Sequence, residues 1–247
     1  MRTKIWGLFF LIQFKLETSL VSWEVWEAKR LTHTKFQNAR YGNSFTEASK
    51  VCILSYNSRG FSRLKQDFMK FLLFDSCEQG SVIPILCNRE DFILKDNAFK
   101  IRQAFPIFHI LVNPAIKNSL DSGRPSCGMF IAFPDSIKNH VEDISPNFWR
   151  VQAAKINFSN MRILLINSYF PTDPQRDYVD DTDLQETISY IKILVNNTDC
   201  EGVLLAGDLN GDFMRKSNHC NAVKELLEEI NLKLSWDAFN IDFTAVK

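Results

Sequence analysis

Residues 202–213 read GVLLAGDLNGDF, and the fold turns on how this stretch is understood. A short apolar run climbs to Gly207. Asp208, Asn210 and Asp212 then follow at every second position. An apolar run of this length, bounded by glycine, has the look of a buried strand. In extended chain, Asp208 and Asn210 fall on one side, about 6.5–7 Å apart. The strand therefore delivers oxygen and amide groups just past its end.

Three other apolar runs end in the same way. VCILSYN stops at Asn57, VIPILCNRE at Glu90 and MRILLINSY at Tyr169. Between the runs lie segments of helical spacing. Residues 61–74 (FSRLKQDFMKFLLF) place Phe61, Leu64, Phe68, Phe71 and Leu72 at helical intervals. Residues 183–195 (DLQETISYIKILV) predict a helix capped by Asp181 or Thr182. Residues 218–232 predict another, with Val223, Leu226, Leu227 and Ile230 on one face. FHILVN and CGMFIAF are further strands, and FWRVQAAKINF with MRILLINSYF predicts a hairpin. Pro84 in SVIPILCNRE favours a sheet edge or a strand's beginning, because proline cannot donate to the ladder. Helices alternating with strands, and hairpins among them, predict an α/β (α+β) sandwich with a mixed sheet. If the four polar-ended strands run together, their ends converge at one sheet edge, where ligand crevices lie in open α/β folds.

Bulk properties narrow the function. The chain has 247 residues, enough for one large α/β domain or one domain with an extension. Lysine plus arginine balances aspartate plus glutamate at 29 each. A nucleic-acid partner would therefore have to meet a local basic surface or a bridging metal, not a uniformly basic protein. The cysteines at 52, 77, 87, 127, 200 and 220 form no CxxC pair, which argues against zinc. Several sit within apolar runs and read as reduced thiols of an intracellular protein. MRTKIWGLFFLIQF has early basic residues and an apolar core at 5–12, similar to a signal peptide. Gln13 and Lys15 follow at once without an A-x-A-like site, and the run is too short to span a bilayer. Secretion is thus the lesser alternative, and the sequons at Asn157 and Asn196 add little to it. Residues 1–48 read as a leader and loosely packed extension, and residues 49–247 as the domain.

The converging residues suggest a chemistry. Asn57, Glu90, Tyr169, Asp208 and Asn210 offer hard oxygen ligands and no histidine or cysteine, which suits Mg²⁺ or Mn²⁺. Such an ion needs only one or two carboxylates. A second carboxylate can align or deprotonate a water, and an amide and a phenol can donate to a phosphate as its charge rises. The set fits metal-assisted hydrolysis of a phosphate ester.

The motifs SYNSRG (55–60), RED (89–91), GRPSCGMFIAF (123–133), INSYFPTD (166–173) and LLAGDLNGDF (204–213) resemble the endonuclease/exonuclease/phosphatase family, the fold of pancreatic deoxyribonuclease and the apurinic endonucleases. They are most similar to the endonuclease domains of non-LTR retrotransposons, over roughly residues 50–247. The resemblance implies a four-layer α/β sandwich of mixed sheets flanked by helices. It implies that Glu90 is the principal metal ligand and that Asn57 orients the metal-binding carboxylate or a metal-bound water. Tyr169 would bond the scissile phosphate, Asp208 would align or activate the attacking water, and Asn210 would steady phosphate and aspartate. A monomer acting on DNA, with Mg²⁺ or Mn²⁺, no organic cofactor and no membrane, is the expectation. Departures are visible too. Arg89 stands where the family has glutamine, and Cys127 where it has the first glycine of a pair. Arg124 would pair structurally inside the domain, Asp212 would shape the following loop, and His219, in SNHC at a helix start, is expected on the surface.

The resemblance also implies a Ser-Asp-His segment near the C-terminus, preceded by an Ile-Asp strand. None of His33, His109, His140 and His219 follows Ser-Asp, and Ile241-Asp242 aligns before that strand. The expectation is a domain lacking its last strands, with weak or absent nuclease activity. Two other readings stand beside it: a same-fold phosphatase or phosphodiesterase on lipid or inositol phosphates, and a catalytically dead remnant that binds nucleic acid or protein.

Overall fold

The computed structural model describes residues 12–13, 50–77, 82–117, 125–158, 161–172, 182–210 and 217–232. Its strands are β1 (Ile12–Gln13), β2 (Lys50–Asn57), β3 (Val82–Arg89), β4 (Phe108–Asn113), β5 (Met129–Pro134), β6 (Val141–Asp143), β7 (Val151–Asn157), β8 (Arg162–Tyr169) and β9 (Gly202–Asp208). The α-helices are α1 (Arg63–Cys77), α2 (Phe99–Ala104), α3 (Thr182–Asn197) and α4 (Asn218–Glu229). The strands make two mixed sheets, ordered β1-β2-β3-β5-β4 and β6-β7-β8-β9.

Each sheet contains one strand–helix–strand unit that supplies its parallel pair. β2 and β3 are parallel and flank α1 in sequence; β8 and β9 are parallel and flank α3. A parallel pair needs such a crossover, and the helix it brings covers one sheet face. The other pairings are antiparallel, including the anticipated β7–β8 hairpin. The leader contributes a strand that the sequence did not announce: Ile12 and Gln13 pair with Leu54 and Ser55.

Three apolar layers hold the sandwich together. Between the sheets lie Ile53, Ile85, Ile131, Phe133, Ile156, Ile163, Leu165 and Leu204, all buried. Outside the first sheet, Leu54, Leu86, Phe130 and Ala132 pack on Met69 and Leu73 of α1 and Ile101 of α2. Outside the second, Val151, Leu164, Ile166 and Leu205 pack on Ile188 and Ile191 of α3 and Val223, Leu226 and Leu227 of α4. The order helix–sheet–sheet–helix is the expected four-layer arrangement. It explains why the central strands are apolar runs without alternation, since both of their faces are covered. β5 is buried at all six positions.

Pro84 lies in an interior strand, but at a place where only one neighbour binds. β3 pairs with β2 from Val82 to Arg89, whereas β5 joins it only from Leu86 to Arg89. The missing N–H therefore costs no ladder bond on the β5 side. α1, α3 and α4 begin and end within a few residues of their expected limits; α2 was not anticipated. Ser217 caps α4, its hydroxyl accepting from the Cys220 N–H at 3.1 Å. Asp181 lies outside the described residues, and so do Arg124, Asp212, His33, the Ile241-Asp242 pair and, apart from β1, the leader. Cys87 and Cys127 are buried and form no disulfide. Among the described residues no helix is long and apolar enough to cross a membrane.

Candidate active site

Strand register sets the site. On the facing surfaces of the sheets, side chains change from apolar to polar toward the C-terminal ends of β2, β3, β8 and β9. Asn57 is the register partner of Arg89, and Tyr169 is the partner of Asp208. In a parallel pair, register partners share a face, so these four residues form one polar layer above the core.

Two hydrogen bonds cross between the sheets in this layer. Asn57 Nδ2 donates to Asp208 Oδ2 at 2.9 Å, and Tyr169 Oη donates to Glu90 Oε1 at 2.7 Å. The partners are 151 and 79 residues apart in sequence. Asn57 also accepts from the Arg59 N–H through Oδ1 at 3.3 Å, so it both opens a turn and holds Asp208. Asn210 donates its backbone N–H to Asp208 Oδ1 at 3.2 Å and its side-chain amide to the Phe170 carbonyl at 2.7 Å. The structure thus brings together Asn57, Glu90, Tyr169, Asp208 and Asn210.

Backbone strain aims two of them. Glu90 follows Arg89 directly, and regular strand geometry would send their side chains to opposite faces. Glu90 instead has φ 55°, in the left-handed region. Its carboxylate consequently turns toward Tyr169 of the other sheet. The peptides around it are clamped: Ser58 N–H donates to Arg89 O at 2.9 Å, Gly60 N–H to Glu90 O at 2.6 Å, and Asp91 N–H to Gly128 O at 3.2 Å. Asn210 is also left-handed at φ 47°, a conformation asparagine tolerates better than most residues. The Glu90 side chain is only 15% exposed.

Burial shapes the electrostatics. The Tyr169 hydroxyl is pushed up from its ordinary range, first by burial and then by its bond to the Glu90 carboxylate. It therefore keeps its proton and acts as a donor. Arg59 reaches over the mouth, its Nε 3.8 Å from Glu90 Oε2, with a side chain 75% exposed. Behind Glu90, the Asp91 carboxyl is buried and pushed up to about 7 by that burial, although the Ile93 N–H bonded to Oδ1 at 2.7 Å opposes the shift. Gly128 lets Asp91 fit: a Cβ there would lie 2.2 Å from Asp91 Oδ1. The preceding Cys127 takes φ 61°, so the turn keeps a glycine-like backbone without the glycine. Its thiol faces the Trp149 carbonyl at 3.2 Å, and burial pushes it up to about 12.

Three residues near the site were not singled out as functional by the sequence. Arg89 is 1% exposed, between the sheets, and donates to Asn167 Oδ1 at 3.1 Å and to the Cys87 carbonyl at 3.5 Å. Asn167 in turn donates to the Asn88 carbonyl at 3.0 Å. The polar break at Asn167 in the apolar run MRILLINSY was the available signal. His219, expected on the surface, is instead buried, with Nε2 3.0 Å from the carbonyl of Leu209, between Asp208 and Asn210. Capping by Ser217 starts α4 with its first turn against β9's end, which turns the ring inward. Arg150 stacks on Trp149, its Cζ 3.8 Å from the ring centroid, and pairs with Asp183 at 2.7 Å. It also donates to the Tyr169 carbonyl at 3.4 Å and so steadies that strand end.

Among the described residues, no three histidine, cysteine, aspartate or glutamate side chains gather as a metal cage. Mg²⁺ and Mn²⁺ need less: one or two carboxylates and amide oxygen, with water and substrate completing the shell. Glu90 and Asp208 are the carboxylates, and Asn57 the amide, that could supply such donors.

No family model matches the chain, and no curated protein matches it. Solved structures do. An AP endonuclease, LMAP from Leishmania major, aligns with TM-score 0.52 at 16% identity, over 72% of this chain and 66% of that one. An AP endonuclease from Archaeoglobus fulgidus aligns at TM-score 0.46 and 16% identity, over 72% and 70% of the two chains. The endonuclease domain of TRAS1, a telomere-specific non-LTR retrotransposon, aligns at TM-score 0.45 and 12% identity, over 74% of each. The chain spans just under two thirds of the Leishmania structure's length. The chain thus shares its fold with the Leishmania AP endonuclease.

Proposed function

We propose that this chain is a metal-dependent phosphodiester hydrolase acting on DNA, of the kind represented by non-LTR retrotransposon endonuclease domains. The observation that carries the reading is the pair of bonds across the sheets, Asn57 to Asp208 and Tyr169 to Glu90. Together they set two carboxylates, an amide and a protonated phenol around one point at the sheet ends. Glu90, with Asn57, is the place for Mg²⁺ or Mn²⁺, which would neutralise charge on a phosphate oxygen. Asp208, oriented by Asn57 and by the Asn210 N–H, would align or deprotonate the attacking water. The remaining N–H of the Asn210 amide, and Tyr169 once its proton turns from Glu90, would donate to the phosphate as its charge grows.

The family's Ser-Asp-His motif is not found in this sequence. A chain acting without that motif lacks one member of a preorganised donor set, which commonly costs about 10²–10³ in rate. The test is nicking of supercoiled plasmid in Mg²⁺ or Mn²⁺ by the wild type and by Asp208→Ala. The proposal expects nicking that needs the ion and disappears in the variant. Equal rates in the two proteins would remove Asp208 from catalysis.

A further inference from the structure

Arg89 carries a full positive charge inside the sandwich, 1% exposed, and its contacts are neutral: the Asn167 side chain and the Cys87 carbonyl. Its Nε has no hydrogen-bond partner, and no carboxylate of the described residues forms an ion pair with it. A guanidinium keeps its proton in proteins, so this is a fixed charge. Buried charges persist only when opposite charge lies near enough to offset their desolvation.

The register shows where that opposite charge is. Arg89 is the strand partner of Asn57, whose amide holds Asp208 at 2.9 Å. Asn167, which Arg89 binds, is two residues before Tyr169, the partner of Asp208. The guanidinium therefore lies about one strand step of two residues, ~7 Å, beneath the Tyr169–Asp208 pair. Glu90 is its neighbour in sequence. Little water intervenes at this depth, so the attraction is weakly screened. A divalent ion held by the same carboxylates would be repelled by the same guanidinium.

We propose that Arg89 is a built-in counter-cation for the Glu90–Asp208 pair, which keeps the site assembled without a divalent ion and lowers its affinity for one. This rests on the reading of Glu90 and Asp208 as a metal site. Arg89 acts here as a positioning residue through the carboxylates, without touching substrate.

The test uses the full chain and Mn²⁺ alone, followed by calorimetric titration and by the shift of the thermal midpoint. Arg89→Gln removes the charge, Arg89→Lys retains it, and Asn167→Asp neutralises it while leaving the guanidinium in place. Glu90→Gln is the control for the site. The expected result is Mn²⁺ binding about tenfold tighter or more in Arg89→Gln and Asn167→Asp, with Arg89→Lys close to wild type. If Arg89→Gln does not fold, the contrast between Asn167→Asp and Arg89→Lys decides. Measurable binding of equal strength in all three, abolished by Glu90→Gln, would overturn the role of Arg89 and leave the metal site standing. Absence of binding in every protein would overturn the metal site and this inference with it.

Discussion

Tyr169 and Asp91 show how much a single side chain is governed by what surrounds it. The phenol donates its one proton to Glu90 at 2.7 Å, and burial together with that carboxylate keeps it protonated. Tyr169→Phe removes that donor without changing the ring. A fall in nicking rate of about 10²-fold is expected, with a stability loss of about 1 kcal/mol in urea unfolding. Asp91 works through stability. Its carboxyl titrates at about 7 in the folded chain against 3.8 ordinarily. The folded protein thus holds a proton between about pH 4 and pH 7 that the unfolded chain has released. The contribution is full below about pH 4, declines as pH rises to 7, and is flat above. Asp91→Asn should remove this slope, on the order of 4 kcal/mol across the window. Urea midpoints at pH 5 and pH 8 check it; an unchanged difference between them would contradict the assignment. At this scale the sequence was legible where chain position alone decides: Asn57, Glu90, Tyr169 and Asp208 stand at strand ends. It marked Arg89 only as a departure and gave it no role, since its partner Asn167 is 78 residues away. It misled on His219, because a polar residue at a helix start can lie against a neighbouring loop instead of in water.

Elements were easier to read than their neighbours. Apolar runs marked β2, β3, β8 and β9 because both faces of these strands are covered. Helical spacing marked α1, α3 and α4; the stripes of α3 and α4 face the second sheet, whereas in α1 Leu64 is exposed and Met69 and Leu73, outside the anticipated set, are the buried pair. β6, with three half-buried or exposed residues, left no hydrophobic trace and was missed. Nor could the sequence place Pro84, since the span over which β5 joins β3 is a tertiary fact. Gly207 joins element to site. A Cβ there would lie 2.8 Å from the backbone oxygen of Ser168 on the adjacent strand. The β8–β9 pairing is thus close at the residue before Asp208. Gly207→Ala should push β9 away from β8, at a cost of about 1–3 kcal/mol, and carry Asp208 off its bond to Asn57. Urea unfolding together with the nicking assay measures both effects; a variant of wild-type stability and rate would show that the strands can yield.

For the whole molecule, the sandwich turns four separate strand ends into one polar layer. Its two parallel units lie in different sheets, so the residues meet only because the sheets pack face to face. That is why the site could be proposed from convergence but its geometry could not. It is also why the likeness to solved structures, at 16% identity for the Leishmania AP endonuclease, speaks to the fold. Away from these residues and from Arg89 and Asn167, the layer between the sheets is mostly apolar, and dispersion and burial do not fix one sheet's sliding position against the other as sharply as a hydrogen bond does.

The bonds from Asn57 to Asp208 and from Tyr169 to Glu90 have a mechanical consequence. Both span the gap between the sheets, so any shear of one sheet against the other must lengthen them. A slip of ~1 Å would break bonds of this kind while leaving most of the apolar contact intact. The site is therefore a gauge of alignment. Mild core substitutions such as Ile85→Val or Leu165→Val should register first as lost cleavage, before the melting temperature moves far.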